Sequence, residues 1–87
     1  MLEQFVGHEV VVDMRSAFVC LGRMHALDDH WLELTDADLH DLRDTHTSRE
    51  NYVAAARDTG IKRNRKRVLL VRGDMVAVSR LEDVVDK

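Results

Sequence analysis

The chain has 87 residues, a net charge of −3 and a single cysteine, which excludes an intrachain disulfide. One domain is expected at this length, burying roughly 60–65% of the surface its unfolded chain exposes. The apolar run around Cys20 is too short to span a membrane, and Met1 to Val6 lack the basic start and long apolar centre of an export signal, so a reducing cytoplasm is the expected setting.

Leu2 to Val6 suit one helical turn before Gly7. From His8 the apolar period changes to two: Val10, Val12 and Met14 share one face and Glu9, Val11, Asp13 and Arg15 the other, which predicts a strand. Arg15 to Ala17 is a turn. The second strand, Phe18 to Leu27, sets Cys20, Gly22 and Met24 on one face, and a glycine inside a strand marks a sharp bend or the close approach of another backbone. Asp28 to His30 form a short connection, and Trp31 to Thr35 read as a third strand with Leu32 and Leu34 on its buried side.

Residues 36–67 form a long insertion that opens acidic, from Asp36 to Asp44. Thr47 and Glu50 have capping-box spacing. Three consecutive alanines and Gly60 predict a helix over about 48–58, with a small apolar face of Tyr52, Val53, Ala55 and Ala56 that must pack on the sheet or on a neighbouring subunit. Lys62, Arg63, Arg65, Lys66 and Arg67 then supply five cations in six residues: a solvated loop, or one that tracks phosphates. Charge is unevenly spread. Residues 1–47 hold 3 Arg against 10 Asp and Glu, net −7, and residues 48–87 hold 10 Lys and Arg against 6 acids, net +4, so the second half offers a phosphate-attracting field that the overall charge conceals.

Val68 to Ser79 read as two short strands joined by a tight turn, with Arg72 at the tip of a hairpin and Gly73 adopting backbone angles that a side chain would resist. Leu81, Val84 and Val85 have near-helical spacing in a segment too short to interpret.

Val71-Arg72-Gly73-Asp74-Met75-Val76 resembles the second signature motif of the Sm and Sm-like proteins. Val10 to Met14, Gly22, Met24, Leu27 and Asp28 fall, without a gap, where the first motif of that family places its apolar residues, its glycine and its aspartate. The resemblance covers residues 8–35 and 68–80. Two departures accompany it: Ala17 replaces the usual turn glycine, and the motif asparagine is absent. Leu32 holds that position in the ungapped register, and a one-residue deletion near Trp31 restores the strand alternation but removes the position altogether.

The resemblance implies a mainly β fold, an Sm-like (SH3-like) small barrel of five strongly bent antiparallel strands, to which the residues read above add one helix inserted between strands 3 and 4 and a short N-terminal helical turn. It also implies a homo-oligomeric ring of six or seven subunits, strand 4 of one pairing with strand 5 of the next. Carried over by position, His30 is the residue that stacks on a base, Arg72 covers its opposite face, Gly73 gives backbone access, and Asp28 orients the asparagine that this chain lacks. A histidine and an arginine plane can still sandwich any base, so single-stranded RNA bound with weak or relaxed base selectivity is the expected ligand, with residues 62–67 on its phosphates. The alternative is an oligomeric scaffold whose helix 48–58 meets a protein partner, in which Asp28 only caps its loop and the RNA site is degenerate. A third reading keeps the SH3-like barrel as a monomeric protein-binding domain.

Chemistry of other kinds finds little support. The five histidines have no recognised ligand spacing, one cysteine cannot build a thiolate-rich zinc site, and there is no nucleophile elbow, phosphate loop or glycine-rich fingerprint. Neither an enzyme nor a bound cofactor or metal is expected.

Overall fold

Alternating apolar residues produce five antiparallel strands in the computed structural model, which describes residues 1–86. They are β1 (Glu9–Met14), β2 (Phe18–Leu27), β3 (Trp31–Asp41), β4 (Arg65–Val71) and β5 (Met75–Arg80), hydrogen-bonded in the order β4-β3-β2-β1-β5. A single helix, α1 (Arg49–Thr59), lies between β3 and β4, and Leu2–Phe5 form a 3-10 turn at the start. The mainly β class, the five strands, the inserted helix and the N-terminal turn all match expectation.

The bend predicted at Gly22 is real and has a partner. Opposite it, Asp36 interrupts β3 with φ of +48°, and the β2–β3 register shifts between Leu21 and Arg23. A Cβ on Gly22 would lie 3.0 Å from the Ala37 Cβ, 3.1 Å from its Cα and 3.2 Å from the Thr35 carbonyl oxygen. Only a glycine lets the two strands cross this closely. The curled sheet encloses Val10, Val12, Cys20, Met24, Leu32, Leu34 and Ala37, all fully buried.

Beyond the bend β3 runs on to Asp41, six residues past the predicted end, so the acidic opening of the insertion is strand. Hydrogen bonds account for this. Asn64 receives the Leu39 N–H on its Oδ1 (3.0 Å), donates from Nδ2 to the Asp38 carboxylate (3.2 Å) and the Leu39 carbonyl (3.1 Å), and gives its own N–H to the Ala37 carbonyl (2.8 Å). Asp38, 4% exposed, also accepts from the Tyr52 hydroxyl, and the Tyr52 ring stacks on His40 with centroids 4.0 Å apart. A buried carboxylate thus ties strand, helix and connecting loop together.

Helix α1 begins one residue later than its sequence signal. Ser48, not Thr47, is the cap, its Oγ accepting the Asn51 N–H at 3.1 Å, and Gly60 ends the helix at φ of +96° with its N–H on the Ala56 carbonyl. Val53 and Ala56 are buried while Ala55 is exposed, which removes Ala55 from the predicted packing face. They cover Val11, Val19, Leu21 and Leu81 on the outside of the sheet, so β1 and β2 are buried on both faces. The packing is on the chain's own sheet.

Two further expectations change. The hairpin over 68–79 does not exist: β4 and β5 lie at opposite edges of the sheet, joined by the 3-10 turn Arg72–Asp74. Their neighbours β3 and β1 already supply paired backbones, which outcompete a local hairpin. Gly73 is not in the left-handed region, and a Cβ there meets nothing closer than 4.0 Å. The basic run is likewise not wholly a loop, because Arg65, Lys66 and Arg67 begin β4.

Substituting Gly22 by alanine is expected to lower stability by about 1–3 kcal/mol, the usual cost of overpacking, seen as a lower urea midpoint at unchanged slope. An unchanged midpoint would show that Ala37 yields without cost. Burial, reinforced by the Asp38 carboxylate, pushes the Cys20 thiol up to about 12. Its reaction with an aromatic disulfide reagent at pH 8 should therefore follow the rate of chain opening and reach completion only in denaturant.

Candidate nucleic-acid interface

Asp28, Asp29 and His30 make the short β2–β3 connection, and their conformation is set locally. One oxygen of the Asp28 carboxylate accepts the backbone N–H groups of both His30 and Trp31, each at 2.8 Å, an Asx-type closure that turns the chain within three residues. These two donors hold the Asp28 carboxyl below the usual carboxylate range, with the nearby His30 and Arg72 charges acting in the same direction.

The Arg72–Asp74 turn sits against this loop. Arg72 donates its backbone N–H to the His30 carbonyl at 2.9 Å and its guanidinium to the Asp28 carbonyl. Asp28, His30, Arg72 and Gly73, drawn from two segments that are 44 residues apart at the Asp28–Arg72 contact, therefore meet in one place. The His30 residue is exposed, Arg72 is half-buried, and the open surface beside Gly73 leaves its backbone approachable.

Beside Arg72 lies a shallow hollow of about 530 Å³, walled by Met1, Leu2, Glu3, Leu27, Asp28, Asp29 and Arg72. Three carboxylates face one guanidinium and the N-terminal ammonium of Met1, which also lines the hollow and pairs with Glu3. A planar group can enter on such a surface, but a phosphate gains little, so the hollow suits a base more than a backbone.

The five cations of residues 62–67 lie elsewhere, along the connection into β4. Arg63 forms an ion pair with Asp36, Arg67 with Glu33, and Arg65 donates to the Asn64 carbonyl at 3.0 Å. Lys62 and Lys66 have no carboxylate partner among the described residues. The run's free charge is thus smaller than its composition implies. Asn64, read from sequence as part of this run, is structural.

After Asp28 the strand alternates between inner and outer faces. Leu32 and Leu34 are fully buried and Glu33 is not, the alternation that the one-residue deletion restores, so no amide takes the place of the missing asparagine. Trp31, not singled out in sequence, is instead 44% exposed on the outer side of β3, opposite Val71 in β4. Alternation with Leu32 and Leu34 was the signal that would have placed it there.

No protein-family model matches the sequence, and no curated protein matches it either. Solved structures do. An Sm protein of Pyrococcus abyssi, determined in complex with a uridine heptamer, superposes with a TM-score of 0.62 at 16% identity over 91% of this chain and 90% of that one. An Sm-like protein of Archaeoglobus fulgidus gives the same TM-score at 18% identity over 92% and 88%. The chain has the Sm fold, in agreement with the two motifs.

Because the folded pKa of Asp28 is depressed, its contribution to loop stability is present above the ordinary carboxylate range and is lost as pH falls through the depressed value. Asp28→Ala should raise hydrogen-exchange rates at the His30 and Trp31 amides, while Asp28→Asn, which keeps an acceptor oxygen, should largely preserve their protection. Equal protection in all three proteins would show that the loop holds without this closure.

Proposed function

We propose that this chain, with its Sm fold, binds single-stranded RNA where the β2–β3 loop meets the Arg72–Asp74 turn, with relaxed base selectivity. The observation that carries the reading is the Arg72 clamp, which joins the two motif segments through the His30 and Asp28 carbonyls. It brings the exposed residue His30 and the Arg72 guanidinium to one loop junction, with an approachable backbone at Gly73. Planar cations and rings of this kind hold bases by their faces, which all bases share. Selectivity is relaxed because no side-chain amide stands at the site to read a base edge. The uridine heptamer on the Pyrococcus abyssi protein gives independent support for RNA as the ligand class.

The working form is a closed homo-oligomeric ring, a hexamer or heptamer. Both sheet edges, β4 and β5, are unpaired along their outer sides, and they expose Leu69, Val71 and Val76. Pairing β4 of one subunit with β5 of the next removes both edges at once, and head-to-tail contacts that close leave none exposed. Lys62 and Lys66 add sequence-independent attraction for phosphates.

A second reading has one observation in its favour: the carboxylates of Glu3, Asp28 and Asp29 around Arg72 repel a polyanion, as expected of a scaffold whose RNA site is degenerate. Binding and mass separate the readings. Nuclease-treated protein, titrated with uridine, adenosine and mixed oligonucleotides at two salt concentrations, should bind as a particle several times heavier than 10.0 kDa. Arg72→Ala should weaken binding without dissociating the particle. Neutralising Lys62 and Lys66 together should flatten the log–log salt dependence by about 0.7 for each phosphate that is no longer neutralised. Intact rings that bind none of the oligonucleotides would leave the scaffold, and a 10 kDa particle would reject the ring.

A further inference from the structure

Trp31 is the chain's one tryptophan, and large apolar side chains in this fold are otherwise mostly engaged in one of its two cores. Its neighbours Leu32 and Leu34 point inward, so its indole lies on the outer face of the sheet. There it borders a hollow of about 270 Å³ together with Leu27, Asp28, Glu33, Arg67 and Leu69. Arg67 reaches this surface from β4 and pairs with Glu33, which holds its guanidinium on the hollow's rim. Asp28 borders both this hollow and the one beside Arg72, and Trp31 pairs with Val71, the residue before Arg72. The two hollows are therefore adjacent.

We infer that Trp31 is a second base-stacking platform, which takes a neighbouring nucleobase of the same single strand that engages Arg72. The inference rests on the RNA reading above and extends it by one base. Indole offers the largest aromatic face of any side chain. Stacking on it is tolerant of base identity, and the Arg67 guanidinium supplies a second planar, cationic surface at the rim. The hollow's size suits one ring system, being below the roughly 300 Å³ at which small-ligand pockets begin. Its carboxylates, Asp28 and Glu33, disfavour a phosphate within it, so the base and not the backbone is the group that enters. Purines, with the larger face, bind here more tightly than pyrimidines.

With a single tryptophan, intrinsic fluorescence reports this site alone. Adding short adenosine oligonucleotides to the intact protein should quench the emission to saturation, and uridine oligonucleotides should do so at higher concentration. Trp31→Ala should weaken adenosine-oligonucleotide affinity about 5- to 150-fold, the range for loss of one stacked base. Trp31→Phe, which keeps a flat face, should recover most of it. The side chain lies outside the core, so circular dichroism of both variants should match the parent.

Binding that is weakened by Arg72→Ala but unchanged in Trp31→Ala would overturn this inference and leave the RNA reading standing. Absence of any oligonucleotide binding by the parent protein would defeat both. Emission that shifts with protein concentration in the absence of oligonucleotide, with Trp31→Ala lowering the particle mass, would place the indole in an interface between subunits and also overturn it.

Discussion

The approach of β3 over Gly22 is the constraint on which the remaining structure depends. With the Ala37 backbone and side chain waiting near 3 Å from any Cβ, the strands can cross only at a glycine, and the crossing bends both. The bend turns the inner face of β2 and β3 into a concave surface deep enough to enclose Leu32, Leu34, Met24 and Val10. It also carries β4 round with β3, because the pairs Trp31–Val71 to Thr35–Arg67 hold the two in register. The end of β4 thereby reaches the β2–β3 loop, and Arg72 can bond to Asp28 and His30. This contact is set by the register itself, since the pairing of Trp31 with Val71 puts Arg72 beside His30.

Bending has a cost at Asp36, which adopts a left-handed backbone and leaves β3 needing support on its far side. The insertion provides it. Asn64 completes the backbone bonds of Ala37 and Leu39, and Tyr52 and Asn64 share the buried Asp38 carboxylate. Burial of that carboxylate without a donor would cost several kcal/mol. Helix α1 at the same time covers Val11, Val19 and Leu21, which a sheet with one wet face would leave exposed. The insertion is thus part of the fold's stability, and its polar network fixes where β3 resumes after the bend.

Much of this was legible, because it is written in local terms. Alternation at Val10, Val12, Cys20, Met24, Leu32 and Leu34 identifies the concave core, Gly22 the bend, and Ala54 to Gly60 the body and end of the helix. What escaped was written in partners. Leu39 carries no sign that Asn64 will extend its strand, and the choice of Ser48 over Thr47 as cap depends on where the preceding loop releases the chain. Val68 to Ser79 shows the same limit most plainly: two apolar runs about a glycine describe a hairpin equally well as two strands sent to opposite edges. Only the pairing of β1 with β5 and β3 with β4 decides between them. Val11, Val19 and Leu21 were a readable hint that the outer face is covered, since three large apolar residues there need a lid.

Electrostatics then determines what kind of binding this surface can support. A run of five cations suggests a phosphate track, yet Arg63 and Arg67 are paired to Asp36 and Glu33, carboxylates that offset part of the run's charge. Around Arg72 three carboxylates stand against the guanidinium and the N-terminal ammonium, so the field at the loop weakly opposes a polyanion while the field near Lys62 and Lys66 favours it. Affinity for a single strand on such a surface must come mainly from short-range packing against base faces, which charge screening does not diminish. The flat groups at hand are His30, Arg72 and Trp31, and they lie at one end of β3 with no amide among them. A strand held in this way is gripped by its bases and is read by the area of its rings more than by the pattern of their edges.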